Sequence, residues 1–262
     1  AEACDDGNKL GGDGCSATCD VETVTSCAAL ANTTGPKKSG VYSLDPDGAG
    51  GKPAFDSHCE MDLDKGGWTL AYTSSDDGVN TWTWANRALW TNGATVGTAT
   101  AWTKDFKSPA AHVPFKDVLV VHSPSGVWAS YHGVGSGNSS LAGHIASVGG
   151  PVCYEPLKGG HTMNAGTLKV GAKLCDTRLY FNPDDRDGSK TKCGDDEKTW
   201  GPAFNARDNQ ACPWDDPGIS GSCGPSLSNP GAEYNTRGFG RALNLNTATA
   251  GTGQNHVRIY VR

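Results

Sequence analysis

Residues 27–70, CAALANTTGPKKSGVYSLDPDGAGGKPAFDSHCEMDLDKGGWTL, decide the reading of this chain. Val41 to Leu44 reads as a strand running into a turn at Asp45-Pro46-Asp47-Gly48. Pro presets φ there and Gly permits the left-handed conformation. A β-hairpin follows. Phe55, His58 and Met61 lie in its first arm, Trp68, Leu70 and Tyr72 alternate in its second, and Asp64 to Gly67 form the turn. His58 is expected to be buried within it.

Outward from that hairpin, DVLVVHS at 117–123 and TRLYFN at 177–182 read as further strands. NHVRIYVR at 255–262 places Val257, Ile259 and Val261 on one face and is expected to close the sheet as its final strand. Helical signals are weak. TWTWANRALW at 81–90 reads as a short helix with Trp84 and Leu89 inward. Residues 133–151 are rich in Gly and Ser and read as a surface loop, or as a loop bordering a ligand site.

Composition agrees with a loop-rich α+β chain of few short helices. Of 262 residues, 36 are Gly, about twice the usual share of roughly 7%, so tight turns abound. Eight Trp against two Met mean that rigid aromatics anchor the core. The length allows one large domain with a small appendage, divided here as 1–26 and 27–262. The net charge of −6 comes without a basic stripe, which argues against nucleic acid as a partner. No run of 18 apolar residues occurs, so no membrane span is expected. Ten cysteines, an even number with no C-x-x-C pair, point to disulfides and to a secreted, extracellular or cell-surface place. The chain opens at Ala1 rather than Met, which is read as removal of a leader or trimming.

Residues 1–26 are too short for an apolar core and must be held by disulfides. Cys4 to Asn8 read C-D-D-G-N, and Gly12 to Cys19 read G-D-G-C-S-x-x-C. This resembles a small cysteine-rich repeat of myxobacterial surface proteins, and the resemblance implies a secreted bacterial protein.

The run from Cys27 through Gly40-Val41-Tyr42 and Cys59-Glu60-Met61 to Gly66-Gly67-Trp68-Thr69 resembles the opening of a fibrinogen-like domain. Glu60 stands where that family usually has Asp. Farther along, DFKSP at 105–109, VCYEPLKGG at 152–160 and the closing NHVRIYVR resemble the intelectins, the X-type lectins. The resemblance implies a fibrinogen-like/intelectin fold with twisted antiparallel sheets. It also implies a Cys27–Cys59 disulfide closing a loop of roughly 33 residues, worth about 3–4 kcal/mol in the chain-entropy model. With that bridge made, three cysteines lie upstream and five downstream, so full pairing needs at least one bridge between the halves. By similarity to intelectins, Cys223 pairs with Cys4, Cys15 or Cys19. Cys193–Cys212 and Cys153–Cys175 are then compatible pairings among those left open.

Ca2+ is the expected cofactor, because three segments offer the six to eight oxygen ligands it takes. NPDDRDG supplies Asn182, Asp184, Asp185 and Asp187, with Gly188 for the turn. FNARDNQACPWDD supplies Asn205, Asp208, Asn209, Asp215 and Asp216 around Cys212. Intelectins hold their ligand-site ion with residues just before the matching Cys and a carboxylate just after it. Asn209 and Gln210 take the former places here and Asp215 or Asp216 the latter, while the family's His is missing. SSDDGVN at 74–80 supplies Asp76 and Asp77, which with Asp105 resemble the family's structural calcium sites. The first and third segments also read as ordinary acidic turns.

A lectin gains from such an ion because vicinal sugar hydroxyls replace two of its waters while carboxylates accept their protons. An aromatic then packs on the sugar's C–H face. Asn209, Asp215, Trp214, Tyr234 and Phe239 are the candidate ligand contacts, and Trp214 leads because it adjoins Asp215. The expected partners are glycans or other diol-bearing carbohydrates. Weak single sites favour avidity, and with it a homo-oligomer. The rival reading is an adhesion module that binds protein or acetylated ligands and uses calcium only structurally.

Catalysis is not expected. Neither H-E-x-x-H, G-x-S-x-G nor a P-loop occurs. Paired glycosidase carboxylates stand about 5–9.5 Å apart, whereas these Asp residues are adjacent in Gly turns, which suits a cation better.

Overall fold

The computed structural model describes residues 24–33, 37–48, 51–75, 77–79, 81–82, 86–123, 125–137, 139–147, 160–169, 177–181, 203–204 and 256–262. Ser26 starts a one-turn helix, α1 (Cys27–Ala31), by accepting the Ala29 amide on its hydroxyl at 3.0 Å. Strand β1 (Gly40–Leu44) pairs antiparallel with β2 (Phe55–Glu60), Gly40 opposite Cys59 and Leu44 opposite Phe55. The Cys27–Cys59 disulfide pins α1 to β2, with Cα atoms 5.5 Å apart. Val24, Cys27, Leu30, Leu44 and Cys59 form a small apolar cluster around it.

The expected hairpin is present. β2 turns into β3 (Trp68–Ser75) through Asp64, Lys65, Gly66 and Gly67, all at positive φ. Glycine is needed twice. A Cβ on Gly66 would lie 2.4 Å from the Met61 carbonyl oxygen, and one on Gly67 would lie 3.0 Å from Ala28 Cα in α1. Met61 falls just past the end of β2, while His58 is buried, as expected.

The segment 81–90 differs from expectation. Among its described residues, the short helix expected there takes the form of a 3-10 turn, Arg87–Trp90. With three residues per turn, a different side is presented. Trp82 and Trp90 are fully buried against Tyr72, Leu89 is only partly buried, and Trp84 lies outside the described residues. Ring centroids in this trio are 4.5–5.7 Å apart, each pair worth roughly 0.5–1.5 kcal/mol beyond area burial. Tyr72 Oη donates to the Trp90 carbonyl at 2.7 Å and Trp82 Nε1 to the Thr73 carbonyl at 2.9 Å.

Strand β4 (Phe106–Lys107) pairs with β3 at Tyr72 and Thr73. β5 (Val118–Ser123) and β6 (Trp128–Tyr131) form a second hairpin. The Gly- and Ser-rich segment then contains a helix, α2 (Leu141–Ser147), and is therefore not simply a loop. Ser140 opens it by accepting the Gly143 amide at 3.0 Å, and Leu141, Ala142 and Ile145 are buried. β7 (Ala165–Gly166) pairs with β6, and β8 (Leu179–Tyr180) pairs with β9 (Ala203–Phe204) in a separate two-stranded ribbon. β10 (His256–Val261) is the expected last strand, but it does not close an edge. It lies in the sheet's centre, between β3 and β5.

The main sheet runs β1-β2-β3-β10-β5-β6-β7, with β4 beside β3, and its pairings are antiparallel. Alternation along β10 feeds two cores. Val257, Ile259 and Val261 join the Tyr72–Trp82–Trp90 face, and Tyr260 joins Trp68, Leu70, Phe106, Leu119 and Val121 on the other. Arg262 locks the strand's end. Its guanidinium donates to the Asp64 and Gly66 carbonyls at 2.9 Å, pairs with Asp117 Oδ2 at 3.2 Å and lies 3.9 Å over the Trp68 ring.

Candidate functional site

Of the twelve predicted calcium ligands, Asp77 and Asp105 fall among the described residues, and they converge. Asp77 follows β3, where its Oδ1 accepts the Val79 amide at 2.9 Å. Asp105 leads into β4 and is 6% exposed. Its Oδ1 accepts the Ser75 amide at 2.9 Å, and its own amide donates to Asp77 Oδ2 at 3.4 Å. Asp105 Oδ2 is buried and completes no hydrogen bond.

Burial pushes the Asp105 carboxyl up to about 7, and the Asp77 charge adds to the rise. The Thr81 hydroxyl and the Ser75 amide work against it. A buried carboxylate oxygen of this kind suits a hard cation, which would hold the group ionised and give Oδ2 a partner. Two carboxylates do not complete a calcium shell. Among the described residues, no group of three or more His, Cys, Asp or Glu converges. Asp76 lies outside the described residues, as do Asn182, Asp184, Asp185, Asp187, Asn205, Asp208, Asn209, Asp215 and Asp216. So do the ligand candidates Trp214, Tyr234 and Phe239, the cysteines Cys193, Cys212 and Cys223, and residues 1–23 of the cysteine-rich segment.

Sequence reasoning missed a neighbouring cation. Lys107 is fully buried and donates to the Leu89 carbonyl at 2.7 Å and to the Asn92 carbonyl. Burial lowers its amine to about 8. An ammonium caged by carbonyl oxygens ties the 86–96 segment to β4 much as a small metal ion ties a loop. The one available signal was a Lys within a two-residue strand beside the apolar Phe106. A second cation, Arg258, also escaped notice: its guanidinium lies 5.1 Å over the Trp102 ring.

No protein-family model matches the chain, and no curated protein matches it. Among solved structures, the fibrinogen-like globe domain of human ANGPTL6 aligns with a TM-score of 0.40 at 17% identity, covering 93% of this chain and 96% of that one. The fibrinogen-like globe domain of human ANGPTL2 aligns with a TM-score of 0.39 at 16% identity, covering 91% and 98%. Superpositions this loose carry no weight beyond the alignment itself. The architecture rests on the chain's own features: a mostly antiparallel sheet, few short helices and the Cys27–Cys59 disulfide. Among the described residues, no helix is long and apolar enough to cross a membrane.

Proposed function

We propose that this chain is a calcium-dependent recognition module of the fibrinogen-like/intelectin kind, secreted or held at the cell surface, that binds vicinal-diol groups of glycans without catalysis. The observation that carries the calcium part is the convergence of Asp77 and Asp105, with a buried carboxylate oxygen left unsatisfied. The opening hairpin and the Cys27–Cys59 bridge support the fibrinogen-like assignment. The ligand-presenting ion is assigned to the 205–216 segment, with Asn209, Asp215 and Asp216 as oxygen donors and Trp214 as the aromatic contact.

One observation favours the rival adhesion reading for part of the molecule. Asp105 is too buried for an ion at that position to meet a sugar, so an ion held there would act structurally. The two readings separate on a column of immobilised polysaccharide. Elution by both EDTA and glycerol supports the diol lectin. Retention unaffected by glycerol rejects it in favour of adhesion.

A further inference from the structure

Two arginines on one side of the last strand are treated in opposite ways. The donors of Arg262 meet two carbonyls and Asp117. Arg258, in the middle of β10, has no carboxylate partner among the described residues. Its one hydrogen bond runs from Nη1 to the neutral Tyr260 Oη at 3.2 Å, and Nε is buried without an acceptor. A half-buried cation that meets one neutral hydroxyl and two ring faces recovers only part of its lost hydration, and no counter-charge among the described residues neutralises it, so an anion suits the place.

Those surroundings are aromatic. The guanidinium lies over the rings of Trp102, at 5.1 Å, and Tyr260, at 5.9 Å. His58 packs on Trp102 with ring centroids 4.1 Å apart, and its Nδ1 meets Tyr260 Oη at 3.2 Å. Trp102 itself is only half-buried.

We infer that Arg258 and Trp102 form a binding site for the carboxylate of an acidic sugar. The guanidinium takes the carboxylate oxygens as a fork, and the indole takes the C–H face of the ring. This rests on the glycan-binding reading for the sugar, but the anion contact needs no metal. It names a substrate class, uronate-type glycans, that a diol–calcium contact alone does not select.

The test is titration calorimetry of the whole chain at low ionic strength with trigalacturonate and with its methyl ester, in Ca2+ and in EDTA. The acid is expected to bind at least tenfold more tightly than the ester in both media and to weaken as salt rises. Arg258→Gln is expected to lose at least tenfold in affinity for the acid, and Arg258→Lys to recover only part of it. Should Arg258→Gln fail to fold, the acid-to-ester ratio of the unmodified protein still decides. Equal binding of acid and ester, no binding of either, or unchanged binding by folded Arg258→Gln overturns the proposal. Binding of the acid that vanishes in EDTA also overturns it and leaves the calcium reading intact.

Discussion

The Asp105 amide donates to Asp77 Oδ2 at 3.4 Å, which holds together two acidic residues 28 positions apart. The β3–β4 pairing and this hydrogen bond bring two carboxyl groups together beside a buried oxygen that completes no hydrogen bond. At free Ca2+ a hundredfold above its Kd, one site of this kind stabilises the protein by about 2.7 kcal/mol. Asp105→Asn removes the charge while keeping the shape. It is expected to abolish the calcium-induced rise in Tm and to leave the melting point in EDTA unchanged or higher. Equal calcium shifts in both proteins count against the site.

The Cys27–Cys59 bridge predicts a plain stability effect. Replacing both residues by Ser is expected to cost about 3–4 kcal/mol. For a domain of this size, that lowers Tm by on the order of 10 °C. Calorimetric melts of the double variant check it, and a shift within a degree or two refutes it.

Acid is expected to weaken the fold through His58 and His122. Burial first, and then the Arg258 charge, lower both imidazoles to about 4, against 6.5 when unfolded. The unfolded chain therefore binds more protons between pH 6.5 and 4. The stabilisation is present above pH 6.5 and is lost as pH falls through about 4. Denaturant melts across that range should show stability falling with pH, and His58→Gln should flatten the slope. An unchanged slope in that variant contradicts the assignment.

Arg262 is expected to clamp the hairpin turn. Arg262→Gln removes the Asp117 pairing and the stacking on Trp68, and should cost about 2 kcal/mol. Hydrogen exchange at Gly66 and Gly67 should quicken more than exchange within β5. Uniform changes across the sheet would argue against a local clamp.

The hairpin was legible because turn chemistry and period-2 alternation are local. The cap at Ser140, three residues before Gly143, is equally local, yet it was hidden among glycines that read as loop. Leu89 was read as inward in a short helix, whereas the 3-10 turn buries Trp90 and leaves Leu89 only partly buried, and Trp82, ahead of that turn, is fully buried. The placing of β10 depends on pairings such as Tyr72 with Ile259, far apart in the chain, and no local pattern reports which neighbours a strand takes. The Asp77–Asp105 pairing was reached only through resemblance. Arg258 went unnoticed because a sequence does not show which arginine lacks a counter-ion.

The most direct measurement is anomalous scattering from crystals grown with Ca2+ and glycerol. A calcium peak bonded by oxygens of residues 205–216, with two glycerol hydroxyls completing its shell, is the predicted result. No peak at those residues, or an ion ligated wholly by protein, would contradict sugar recognition through calcium.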